Sequence, residues 1–157
     1  MPRKYKSTDK LQRPDPVFGD RVIQKFINNL MHNGKRATAQ QVFYRAMDRI
    51  GRQTKEKPPN EIFHAALANI RPRIEVKSRR VGGATYQVPV PVKDKRAFGL
   101  AMKWLLTAVR LRGNKPTHVR LAEEVLSAYK GEGNVIKKRD DVHKMAEANR
   151  AFSHLAF

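Results

Sequence analysis

The sequence predicts a mainly α-helical chain of about six helices, with one projecting β-hairpin arm and a basic N-terminal tail. Three observations carry that reading. Apolar residues recur three and four positions apart in successive stretches, the mark of one buried helix face. A single stretch, from Ile74 to about residue 90, alternates instead and is broken by Gly82-Gly83, a pair suited to a tight hairpin turn. Thirty-three Lys and Arg against 14 Asp and Glu in 157 residues leave a net charge of +19, too uneven for an ordinary solvated surface.

Residues 1–14, MPRKYKSTDKLQRP, lack helical periodicity, and Pro14 and Pro16 stop any helix there, so they read as a flexible basic tail ahead of one domain over residues 15–157. Val22, Ile23, Phe26, Ile27, Leu30 and Met31 give the first helix, from Asp20 to a stop at Gly34. Ala39, Val42, Phe43, Ala46, Met47 and Ile50 give the second, ending at Gly51. A turn around Asn33 to Arg36 makes the two antiparallel neighbours. Pro58 and Pro59 suit the first turn of a third helix, whose stripe is Ile62, Phe63, Ala66, Leu67 and Ile70 and whose end falls near Asn69, before Pro72.

The hairpin spans about 74–90. Pairing about Gly82-Gly83 sets Arg79 opposite Tyr86 and Arg80 opposite Thr85. Pro89 and Pro91 cannot donate ladder hydrogen bonds, which keeps these strands out of a larger sheet. Asp94 is expected to cap a long fourth helix that buries Ala97, Phe98, Ala101, Trp104, Leu105, Ala108 and Val109 and closes at Gly113. The fifth follows Pro116 with Leu121, Ala122, Val125, Leu126 and Tyr129. The sixth, from Val135 to about Ala151, is polar on most sides, with Val142, Met145 and Ala146 inward, and is expected to lie on the outside. These faces can close one core in a monomer, so no homo-oligomer is expected.

The charge is clustered. Residues 1–14 carry a net +4 and residues 71–96 a net +6, so 40 residues hold more than half of the +19. Clustering on appendages fits a polyanion, with nucleic acid the first candidate. No apolar run approaches the roughly 20 residues needed to cross a bilayer, and the basic start lacks a following apolar segment, so neither membrane nor export is expected. The absence of cysteine removes disulfides, thiolate metal sites and a cysteine nucleophile, and fits a reducing cytoplasm.

Signals for chemistry fail on their spacing. The Gly34-Lys35 pair lacks the earlier glycine and the following hydroxyl of a phosphate-binding loop, since those positions hold Asn29 and Arg36. Gly131 and Gly133 would open a dinucleotide fingerprint, but its third glycine position is Ile136. The five histidines include no pair at ligand spacing on one helical face, and His143 reads as part of a polar surface. Glu123 with Glu124, and Asp140 with Asp141, read as surface ion pairs. No catalytic residue, metal or cofactor is expected. Trp104 and most of the methionines fall in apolar stripes and read as core. Tyr86 alternates with arginines, where it could either stack on a base or bury against the body.

The run Lys77 to Val90 (KSRRVGGATYQVPV), with Asn33-Gly-Lys-Arg36 and Val142 to Phe152 (VHKMAEANRAF), resembles the bacterial form of small-subunit ribosomal protein seven, in colinear order along essentially the whole chain. The resemblance implies a non-enzymatic constituent of the ribosome with a helical body and a hairpin arm. It further implies direct binding to the 3′ major domain of 16S rRNA, nucleation of the subunit head, and a place at the interface near the exit site. There the chain would meet exit-site tRNA and mRNA and neighbour small-subunit ribosomal proteins nine and eleven. Carried onto this sequence, the rRNA-facing residues are Lys35, Arg36, Arg71, Arg73, Lys77, Lys93, Lys95, Arg96, Arg110, Arg112 and Lys115. The tail adds Arg3, Lys4 and Lys10, although the tail departs from the family pattern. The tRNA- and mRNA-facing set is Arg79, Arg80, Gly82, Gly83, Tyr86, Lys144, Arg150 and Phe152. A DNA-architectural protein with a basic β-ribbon is the alternative from the charge and the arm alone.

Overall fold

The structure, a computed structural model, describes residues 11–55 and 57–155. The predicted tail contacts Arg3, Lys4 and Lys10 lie outside the described residues. Six α-helices surround an apolar centre: α1 (Arg21–Leu30), α2 (Arg36–Gln53), α3 (Pro59–Ile70), α4 (Asp94–Leu111), α5 (Thr117–Tyr129) and α6 (Asn134–Ala148). Between α3 and α4 stands an antiparallel hairpin of β1 (Ile74–Val81) and β2 (Ala84–Pro91), and a 3-10 helix, Arg150–Leu155, follows α6.

The apolar stripes meet as their spacing requires. Phe26 of α1, Phe43 of α2 and Phe63 of α3 are fully buried, with ring centroids 5.1 to 5.7 Å apart in tilted and edge-on pairs. Such pairs add roughly 0.5–1.5 kcal/mol each beyond the area they bury. Ala101, Met102, Leu105 and Val109 of α4 close one side of this centre, and Leu121, Ala122 and Val125 of α5 fill it. Two carboxylates fix the start of the body. Asp15, buried, accepts the Val17 and Phe18 N–H groups at 3.1 Å each and the Tyr44 hydroxyl at 2.7 Å. Asp20 caps α1 by accepting the Val22 N–H at 2.6 Å, and its other oxygen meets His64 of α3.

Several helix limits differ from those the sequence predicts. The first helix ends at Leu30 rather than near Gly34, because the turn to α2 uses two left-handed residues, Asn33 (φ 50°) and Gly34 (φ 75°). The second runs past Gly51 to Gln53; a Cβ on Gly51 would lie 3.2 Å from Pro59 Cγ, so this glycine permits close packing of α3 rather than stopping a helix. Lys93, not Asp94, occupies the N-cap of α4, and Asp94 sits in the first turn, where a negative charge favours the helix dipole. That helix closes at Leu111, two residues before Gly113, and its buried face includes Met102 and Leu106, with Phe98 and Trp104 only partly buried.

The sixth helix lies on the outside, as expected, but its inward face is only partly the expected one. Val135, Ile136 and Ala146 are buried, Met145 is 56% exposed, and the helix packs against β1, α3 and α4, joining the body to the arm. The hairpin register is the expected one, with Arg79 opposite Tyr86 and Arg80 opposite Thr85. Gly82 (φ 58°) and Gly83 (φ 87°) both take the left-handed conformation that the two-residue turn demands. The arm projects only from its middle outward: at its root Glu75 and Val88 are buried, while residues 80–85 are exposed.

Candidate nucleic-acid interface

The predicted contact residues fall along the arm, its two roots, the α1–α2 turn, the α4–α5 connection and the C-terminal segment. Their side chains divide into those neutralised by acids, those tied to neutral groups, and those left to solvent.

At the arm's root the buried carboxylate of Glu75 accepts a bifurcated hydrogen bond from Arg96, whose Nε lies 2.8 Å from both oxygens, and forms an ion pair with Lys77 at 3.4 Å. This joins β1 to the first turn of α4. Arg73 holds the same region by backbone: its N–H donates to His143 Nε2 at 3.0 Å, and its carbonyl accepts the Val92 N–H at 2.9 Å. His143 is therefore a half-buried acceptor rather than part of a polar surface. Burial first, then the nearby Arg139 guanidinium, holds its pKa below the usual imidazole range, which keeps Nε2 free to accept. The Arg71 guanidinium lies over the Phe98 ring at 5.0 Å.

Around the α4–α5 connection, Lys115 pairs with Glu123 at 2.7 Å, and Arg112 pairs with Glu123 at 3.5 Å and Glu124 at 3.1 Å. Glu124 is buried, which corrects the expectation of surface pairs at both positions. Burial raises its pKa against the opposing pull of Arg112, whereas Glu123 is held low, chiefly by its hydrogen bond from Lys115. Arg110 donates to the Asn29 carbonyl at 3.4 Å and Arg36 to Gln24 Oε1 at 3.0 Å, so both brace α1.

The arm's aromatic question resolves toward packing. Tyr86 sits 5.3 Å, centroid to centroid, from Phe152 of the C-terminal 3-10 helix, at a tilt of 52°. On the facing strand Arg79 donates to the Leu155 carbonyl. Arg150 pairs with Glu147 at 3.3 Å. In contrast, Lys35, Arg80, Lys93 and Lys144 are exposed and have no acidic partner among the described residues. Lys95 is also exposed, in the first turn of α4, although it has a partner. A second set, absent from the expected contacts, is Arg45, Arg49 and Arg52 on the polar side of α2. Their i, i+4, i+7 spacing was the signal available in the sequence.

The fold and this face define a basic helical scaffold with a braced hairpin arm, built to display cations. Over residues 2–150 the chain matches the family described as "Ribosomal protein S7p/S5e". It is 50% identical over 157 residues to the small ribosomal subunit protein uS7 of Polaromonas naphthalenivorans, covering 100% of both chains. It is 51% identical over 154 residues to that of Halorhodospira halophila, covering 98% of both. With the uS7 of Pseudothermotoga lettingae it shares 51% over 142 residues, 90% of this chain and 91% of the other. The chain belongs to the ribosomal protein S7p/S5e family and is a structural, non-enzymatic protein of the small ribosomal subunit. No helix among the described residues is long and apolar enough to cross a membrane.

Proposed function

We propose that the chain binds 16S rRNA directly in its 3′ major domain and nucleates assembly of the small-subunit head. In the assembled particle it lies near the exit site, where the arm and the C-terminal segment face tRNA and mRNA, beside ribosomal proteins nine and eleven. The observation that carries this reading is the division of cations. Arg112 and Lys115 are neutralised within the fold, while Lys35, Arg80, Lys93 and Lys144 stand exposed and without an acidic partner among the described residues on the arm, the turns and α6.

An A-form helix hides its base edges in a deep groove, so a scaffold without base-reading side chains recognises backbone path, junction shape and 2′-hydroxyls. The braced root supports that role. Arg96 and Lys77 fix the direction of the arm through Glu75, and Arg80 beyond it meets phosphate at a set position. Because the protein binds the folded junction better than its alternatives, it shifts the RNA ensemble by the difference in affinity, and no covalent step is needed.

Chemical footprinting of small-subunit rRNA with and without the protein tests the assignment, with protections expected in the 3′ major domain. A salt titration provides the physical check. With roughly eight phosphates neutralised, log affinity falls against log salt with a slope of about −6 to −7. A flat titration removes the basis of the reading.

A further inference from the structure

Arg45, Arg49 and Arg52 project from one face of α2 and, with Asp48, Gln53 and His118 of α5, line a groove of about 350 Å³. All three arginines are exposed, and none has a hydrogen bond or an acidic partner among the described residues. Asp48 lies in the groove without pairing to them. The carboxylate of Glu123 is close enough to feel Arg49, but it is already held by Lys115 at 2.7 Å and Arg112 at 3.5 Å. Like charges at four-residue spacing, as at Arg45 and Arg49, destabilise a helix, and the acids nearby, Asp48 and the already paired Glu123, offset this row of three cations only in part. An anion laid along the groove would offset the rest.

We propose that the α2–α5 groove is a second RNA-backbone site, which takes consecutive phosphodiesters of a strand distinct from the one the arm approaches. The inference rests on the rRNA-binding reading above. Guanidinium forks match phosphate oxygens bidentately, as they do carboxylates, so charge and fork geometry fit a phosphate backbone. At 1.5 Å per residue the row from Arg45 to Arg52 extends about 10 Å along the helix axis, which suits successive phosphates better than one ion. The lining residues are all polar or charged, with no apolar side chain of the kind that anchors a protein partner's core contact. Gripping two strands with faces on different elements would hold an RNA junction from both sides.

The test uses the full chain and a transcript of small-subunit rRNA. Wild type is compared with the triple variant Arg45→Gln, Arg49→Gln, Arg52→Gln and with the triple lysine variant at the same positions. The glutamine triple should lower the magnitude of the salt slope by about 2 to 3, each lost phosphate contact accounting for roughly 0.7–0.9. The lysine triple should keep most of the slope. Footprinting should show one protected strand lost while protections dependent on Arg80 persist. Circular dichroism monitors folding; if the triple does not fold, Arg49→Gln alone carries the test with an expected loss of about 1 in slope. An unchanged slope and footprint in the variants, with wild type binding normally, overturns the groove site and leaves the main reading intact. Failure of wild type to bind the transcript overturns both. Occupation of the groove by inorganic phosphate or polyglutamate, with the RNA slope unchanged, also overturns it.

Discussion

Arg96 on α4 and Glu75 on β1 form a two-point contact, with Nε 2.8 Å from each carboxylate oxygen, and Glu75 is 8% exposed while the arginine side chain is 56% exposed. One end of the bridge is thus set in the protein and the other stands in water. The pair fixes how the arm leaves the body, and solvent screening of the exposed guanidinium keeps its net energy small.

Glu75→Ala should therefore destabilise the chain modestly, by roughly 1–2 kcal/mol, through loss of the charged hydrogen bonds and exposure of the root. The melting temperature should fall about 2–4 °C per kcal/mol for a chain of this size. Differential scanning calorimetry measures it.

Arg79 and Arg80 are neighbours with different duties. Arg80→Ala should weaken RNA binding and leave the melting temperature unchanged, since it touches no acid among the described residues. Arg79→Ala should also loosen the C-terminal 3-10 helix by removing its bond to the Leu155 carbonyl. Hydrogen exchange over residues 150–155 separates the two, with faster exchange expected only in the Arg79 variant.

The Tyr44 hydroxyl donates to Asp15 at 2.7 Å, and burial together with that carboxylate pushes its pKa up to about 12. The folded state holds the phenolic proton more tightly than the unfolded chain, whose value is near 10. The stability this contributes is complete below about pH 10 and is lost as pH rises toward about 12. A spectrophotometric titration of native protein should show one tyrosine ionising late, and Tyr44→Phe should abolish that phase. The same variant leaves an oxygen of buried Asp15 short of a donor and should cost about 1–3 kcal/mol.

Gly133 precedes α6 with φ 92° and ψ 177°, a region essentially reserved for glycine, and a Cβ there would lie 3.0 Å from Ser127 Cβ. Gly133→Ala should destabilise by about 1–3 kcal/mol. Gly113→Ala, where a Cβ meets nothing within 4 Å and φ is not positive, should be nearly silent. Parallel thermal melts of the two variants check the contrast.

Most of the fold was legible because its determinants are local. Phe26, Phe43 and Phe63 announce three helix faces by spacing alone, and Gly82-Gly83 fixes the hairpin register without knowledge of the body. Glycine as a helix stop was ambiguous. At Gly51 the reason for the residue is Pro59 across the connection, a contact no local window contains. On α6 Ala146 is buried as its spacing predicts, whereas Met145, apolar in sequence, is exposed, and Val135 and Ile136 at the helix start complete the buried face. The candidate site was legible as a charge cluster and not as a set of free cations. Which cations are neutralised depends on partners distant in sequence, as with Arg96 and Glu75 or Arg112 and Glu124, and the row on α2 was hidden in a helix read only for its apolar side.

The packing of Tyr86 on Phe152 ties the posture of the arm to a phenylalanine synthesised long after the trio at the centre of the body. A chain ended just short of residue 152 would keep the Arg96–Glu75 brace at the root of the arm and lose the aromatic rest nearer its tip.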